Sequence, residues 1–177
     1  MEPNVHVLNK LAPSSLHENL WATCNSKNWY FGNFSVEEHS IPFWKMELDQ
    51  NDTADALWNH VKPKCENKVG KSLSVLRQYA NGHTYGLGGQ PHIDDEHPDT
   101  YTLLYYPMLE WDRIWGGETI FYDNTGNLAA AVAVHANRGI LFDSRILHSG
   151  RAPCRQCPGL RVTVAYKLKA GDALEST

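Results

Sequence analysis

From residue 72 onward the chain breaks into short β-like runs separated by turn residues, and this rhythm limits its fold more than any other feature. The runs cover 72–80, 90–95, 100–108, 118–123, 128–136, 139–144 and 161–168. Short strands at such spacing suit a sandwich, barrel or jelly roll. No long helical pattern alternates with them, so a doubly wound parallel sheet is disfavoured. The first 70 residues have another texture. Pro13 followed by SSLHENLWATCNS marks a helix start, with Leu16 and Leu20 one turn apart. Asp52 or Thr53 is positioned to cap a second helix, which Pro63 is expected to kink or break. Between the two helices, 29–48 is aromatic, irregular and extended. The predicted fold is α+β, mainly β, in a single domain over 1–177. Its jelly-roll core spans 71–170, and a helical and irregular support region, 1–70, packs against it.

Composition narrows the function classes. The hydrophobic fraction of 42% is ordinary for a packed core. A net charge of −4 argues against a broad electrostatic grip on nucleic acid. No apolar run approaches the roughly 18 residues that would cross a bilayer. MEPNVHVLNKL shows no charged-then-apolar secretory pattern, so a cytoplasmic location is expected. Cys24 and Cys65 stand alone and read as buried thiols. Cys154 and Cys157 form one CxxC between prolines. With no second CxxC to complete a zinc site and no helix start beside it, this pair reads as loop cysteines, with a redox or metal role as the alternative.

The chemistry begins at His92-Ile93-Asp94. On a strand, residues two apart share a face, so the imidazole and carboxylate would aim together. Alone the pattern is weak, and a second copy, His97-Pro98-Asp99, lies close by. Proline at its centre suits a turn rather than a central strand. His148 strengthens the first pair. It follows the apolar run 139–144, where rigid scaffolds carry functional groups. The 54-residue gap after Asp94 leaves room for strands that bring the two together across a jelly-roll core. Two histidines and one carboxylate form the facial triad of non-haem iron(II) sites, although zinc accepts the same ligands.

Arg161 opens an alternating strand. Val162, Val164, Tyr166 and Leu168 make one face, and Arg161, Thr163, Ala165 and Lys167 the other. If the second face looks into a pocket, a guanidinium there needs an anion, and its fork matches a carboxylate.

Together these segments resemble the 2-oxoglutarate- and iron(II)-dependent dioxygenases, in their prolyl 4-hydroxylase-like branch. The resemblance covers about 73–169 and is carried, in order, by RQYANG, HID, TLLYYPM, WGGETIFYD, GILFDSRILHSG and RVTVAYKL. It implies a double-stranded β-helix core. It also implies metal ligation by His92, Asp94 and His148, and pairing of Arg161 with the distal carboxylate of 2-oxoglutarate. Tyr79 would border the cosubstrate. Tyr106 would bind the same carboxylate, with Tyr105 as the alternative, and Thr163 would line that pocket. The gap of 13 between His148 and Arg161 is longer than the family's usual spacing, which makes RAPCRQCPG a lengthened loop. The implied activity is hydroxylation of a C–H bond with dioxygen, releasing succinate and carbon dioxide, with ascorbate as reductant. Prolyl residues of a peptide or protein are the expected substrate, with a free amino acid or other small metabolite as the alternative. A non-catalytic metal-binding jelly roll is the rival from another class. Tyr85, Trp111, Trp115 and Arg145 are the candidate substrate contacts. Oligomeric state is not legible.

Overall fold

The computed structural model describes residues 3–35 and 41–174. Two antiparallel sheets face each other. The larger has seven strands in the order β1-β8-β5-β10-β4-β3-β2, and the smaller has three, β7-β6-β9. The strands are β1 Val5–Asn9, β2 Tyr30–Asn33, β3 Phe43–Glu47, β4 Lys71–His83, β5 Thr100–Tyr106, β6 Thr119–Tyr122, β7 Leu128–Val132, β8 Arg138–Asp143, β9 His148–Gly150 and β10 Arg161–Ala173. This is the expected mainly β jelly roll with two helices, α1 Ser14–Cys24 and α2 Asp52–Val69.

Three expectations change. The run 90–95 is not a strand. His92 forms one bridge with His148, each amide bonding the other's carbonyl. Pairing stops there because Pro91 has no N–H to give and the Asp94 amide turns to the Ser144 carbonyl, 2.9 Å away. The stretch 29–48 is not irregular throughout, since β2 and β3 extend the large sheet beyond β4. With β1 at the opposite edge, the first 70 residues supply three strands and not only helical support. Finally, Asn51 caps α2 by accepting from the amides of Thr53 and Ala54, and the helix runs on through Pro63. Pro63 is exposed, as is Asn59 one turn before it, so the carbonyl that loses its partner can meet water.

Alternation along β10 sorts the core into two layers. Val162, Val164, Tyr166 and Leu168 turn toward the helices, where the Tyr166 hydroxyl donates to the Ala54 carbonyl at 3.0 Å and its ring stacks on Trp58. Arg161, Thr163, Ala165 and Lys167 turn into the space between the sheets. Register extends this division to the neighbours. Tyr105 pairs with Val164 and Leu104 with Ala165. Tyr105 therefore belongs to the helix side, and Tyr106 to the cavity side.

Candidate active site

The space between the sheets holds a cavity lined by His92, Asp94, His148, Arg161, Thr163, Tyr79, Asn81, His83, Leu104, Thr119 and Lys167, among others. His92, Asp94 and His148 each offer one ligand atom, all within 4.8 Å of one another. Their orientation is set by neighbours. Nδ1 of His92 lies 2.8 Å from the Gln90 carbonyl, and Nδ1 of His148 lies 2.9 Å from that of Ile146. A carbonyl only accepts, so both Nδ1 atoms carry the proton and both Nε2 lone pairs face inward. Nε2 of His92 stands 3.4 Å from Asp94 Oδ1, and Nε2 of His148 stands 3.6 Å from Oδ2. Phe121 and Phe142 pack on the His148 ring.

Asp94 is held asymmetrically. Thr102 donates to Oδ2 at 2.6 Å, and the Lys167 ammonium sits on the same oxygen. Oδ1 remains for a metal. Burial alone would raise the Asp94 pKa, but Lys167, His148 and His92 hold it well below the usual carboxylate range. His148 is pushed down to about 4, mainly by burial, with Asp94 opposing. Both groups thus sit in their metal-binding forms at neutral pH. Two imidazoles and one carboxylate, with their other atoms anchored, fit an iron(II) facial site.

Arg161 is the second anchor, and it is only 1% exposed. It donates to the Gly117 carbonyl, to Thr119 Oγ1 at 2.9 Å and to the Tyr106 hydroxyl at 3.4 Å. Tyr106 and Thr119 are bonded to each other at 2.7 Å. None of these partners is a carboxylate, and no ion pair joins Arg161 to one among the described residues. Gly117 keeps its place by a φ of +82°, and a Cβ there would meet Arg161 Cδ at 3.1 Å.

The structure brings together the predicted triad, Arg161, Tyr79, Tyr106 and Thr163, and resolves the choice of tyrosine. Tyr105 bonds His17 and Asn137 on the far side of the sheet. It does not bring the candidate substrate contacts to the metal. Trp111 and Trp115 line a separate cleft of about 600 Å³ with Trp21, Trp29 and Met108, which also takes in Val162 from the opposite face of β10. Tyr85 stands 64% exposed beside Trp29 and Trp44. Arg145 is held by Asp143 at 2.6 Å. Cys154 and Cys157 occupy a turn in the long loop, with the Cys157 amide bonding the Cys154 carbonyl.

Two residues absent from the sequence-based set matter here. Thr102 fixes Asp94, and His83 touches Arg161. Nδ1 of His83 lies 3.2 Å from an Arg161 nitrogen, which can only donate, so Nε2 carries the His83 proton. That N–H is buried without a partner in a residue lining the cavity. Burial, the Arg161 charge and His92 keep His83 neutral by moving its pKa well below 6.5. Counting on in twos from Tyr79 reaches Asn81 and His83, the signal that would have found it.

Comparison with known proteins agrees with this geometry. No curated protein sequence matches the chain. In fold it resembles a prolyl hydroxylase from Trichoplax adhaerens, solved with a hypoxia-inducible-factor peptide fragment, at a TM-score of 0.66 and 17% identity over 95% of this chain and 83% of that one. A prolyl-4-hydroxylase from Pseudomonas putida gives 0.64 and 14%, over 94% and 92%. The α-ketoglutarate-dependent epimerase SnoN from nogalamycin biosynthesis gives 0.72 and 11%, over 95% and 79%. The sequence pattern of the 2OG-Fe(II) oxygenase superfamily matches residues 77–166, just over half of the chain. The chain belongs to the 2OG-Fe(II) oxygenase superfamily.

Proposed function

We propose that the protein hydroxylates an aliphatic C–H bond, consuming dioxygen and 2-oxoglutarate and releasing succinate and carbon dioxide. One observation carries this reading above a purely metal-binding role. Arg161 is a buried cation without a carboxylate partner among the described residues, in the same cavity as the triad. All its hydrogen bonds go to neutral groups, so its charge is open to an anion supplied from outside the fold. A structural metal site would not need it.

Bound iron(II) would supply the activation of dioxygen and the oxidising power for hydroxylation. The chain's own residues do the rest. His92, Asp94 and His148 would hold the metal through two imidazole nitrogens and one carboxylate oxygen. Thr102 and Lys167 occupy Asp94 Oδ2, so the carboxylate acts through one oxygen. Arg161, with Tyr106 and Thr119, takes the distal carboxylate of the 2-oxo acid. His83 offers its free N–H to the same guest. Leu104 and Phe43 give the cavity its apolar lining.

Prolyl residues of a peptide or protein are the first substrates to test, and free proline the second. The reaction class is tested before either. Protein supplied with iron(II), 2-oxoglutarate and ascorbate should form succinate slowly without added substrate. Under anaerobic conditions the loaded protein should show the visible absorption of an iron–2-oxo acid chelate. Absence of both signals would remove the enzyme reading in favour of a metal-binding module.

A further inference from the structure

The mouth of the metal cavity is cationic, although the chain carries 20 acidic against 16 basic residues. A second cavity of about 180 Å³ opens outward from His92 and Asp94 and is lined by Lys45, Arg77, Tyr79 and Asn81. Three cations surround the Tyr79 ring. Lys45 Nζ lies 4.8 Å from its centroid, the Arg77 guanidinium 5.5 Å and Lys167 Nζ 5.9 Å. Register explains the grouping. Tyr79 pairs with Ala165, and Arg77 with Lys167, on the inner face of the large sheet. Lys45 lies opposite Asn81 from β3.

Charge matching separates these cations. Glu47 neutralises Lys45 at 2.7 Å. Arg77 has no ion pair among the described residues. Lys167 rests on Asp94, but in the loaded site that carboxylate also serves the metal. Iron(II) and Arg161 are then matched by Asp94 and the two carboxylates of the 2-oxo acid. Arg77 and Lys167, paired across β4 and β10 next to Tyr79, remain in excess among the described residues. The same cavity leaves one acceptor unmet, since Asn81 Oδ1 is buried without a partner.

We propose that the substrate carries a carboxylate, seated between Arg77 and Lys167 over Tyr79, with an N–H reaching Asn81. This describes an amino acid presenting its own carboxylate, and it deepens the proposed function, on which it rests. A prolyl unit in mid-chain, whose carboxylate is tied up as an amide, offers nothing to the two cations. A guanidinium at a cavity mouth favours carboxylate over amide through charge-assisted bonds.

The test uses anaerobic protein loaded with iron(II) and 2-oxoglutarate. It is titrated with free amino acids, proline included, against their primary amides, and with proline-ending peptides bearing a free or amidated terminus. The readouts are the shift of the visible band and, in air, succinate formed above the substrate-free rate. Free acids should respond about tenfold or more strongly than their amides, the loss expected for one charge-assisted bond. Arg77→Gln should bring that ratio close to one, and Arg77→Lys should restore part of it. Lys27→Gln, an exposed charge outside the cavity lining, should keep the ratio. Arg77 is itself exposed, so its replacement leaves the core packing intact. A response confined to free amino acids assigns the carboxylate to a small molecule. An equal response to acid-ended peptides assigns it to a chain terminus. Amides matching acids, an undiminished ratio in Arg77→Gln, or no response to any acid from a protein that binds 2-oxoglutarate would each overturn the proposal. Failure to bind 2-oxoglutarate would instead strike the underlying function.

Discussion

Replacing Arg161 with methionine keeps most of the buried stem and removes the cation. In the native protein its guanidinium meets only neutral groups, those of Gly117, Thr119, Tyr106 and His83. A 2-oxoglutarate carboxylate would add two charge-assisted bonds, each contributing about 1.5–3 kcal/mol. Their loss, about 3–6 kcal/mol, weakens binding by roughly 150-fold to 25,000-fold. A thermal assay makes this visible without turnover. At a 2-oxoglutarate concentration of about 100 Kd, binding stabilises the native protein by about 2.7 kcal/mol. For a chain of this size that raises Tm by about 5–11 °C. At the same concentration Arg161→Met would gain at most about 0.3 kcal/mol, roughly 1 °C. Melts with manganese(II) in the metal site, with and without 2-oxoglutarate, give the comparison. The ligand-dependent difference is the quantity to read, because losing four hydrogen bonds also moves the absolute Tm. If Arg161→Met kept the full ligand-induced rise, the anchor would lie elsewhere, with Lys167 the next cation to test.

Two further outcomes follow from the groups around the site. Thr102→Val keeps the volume and removes the hydrogen bond to Asp94 Oδ2, so metal affinity should fall about 10- to 100-fold; a metal titration giving native affinity would show that Lys167 alone orients the carboxylate. His83 has a folded pKa well below its unfolded value of 6.5, because of burial first, then Arg161 and His92. The unfolded chain therefore takes up a proton that the folded chain refuses, so the stability His83 contributes is complete above pH 6.5 and declines as pH falls below it, by about 1.4 kcal/mol per pH unit. His83→Gln, which keeps an acceptor for Arg161, should flatten urea-unfolding stability between pH 6.5 and 5; an unchanged slope would assign the loss to His6, His17 and His148, whose pKa values are also lowered.

What was legible in the sequence was whatever strict alternation exposes. The two faces of β10 follow from the period of a strand, and they place Arg161, Thr163 and Lys167 in one cavity. The pairing of His92 with Asp94 holds even though their segment is a single bridge and not a strand, because the bridge to His148 and the Asp94 amide bond to Ser144 keep both side chains at the cavity. The strands of the first 70 residues were hidden for a different reason. β1 has only five residues, and its partner β8 lies more than 100 positions away, so no local turn announces the pair. β2 and β3 are aromatic rather than cleanly alternating, with a register shift at Gly32.

His83 lay beyond the predicted run 72–80, yet β4 continues through Gly82 to His83. A Cβ at Gly82 would lie 3.1 Å from Trp29, 3.2 Å from Trp44 and 3.3 Å from Leu160, so the glycine answers close packing on the outer face and not a bend. The same crowding accounts for the misplaced tryptophans. Trp29 fills the outer side of the sheet, where Trp111 and Trp115, expected as substrate contacts, join it. Alternation past Gly82 would have carried Tyr79, Asn81 and His83 into one row. That row faces Arg161 and Thr163 across β10, with Arg161 opposite His83 and Thr163 opposite Asn81. The inner face of β4 therefore spans the whole site, from the cosubstrate end at His83 to the charged mouth at Arg77. A change in substrate charge preference should map to the Arg77 end, and a change in 2-oxoglutarate affinity to the His83 end.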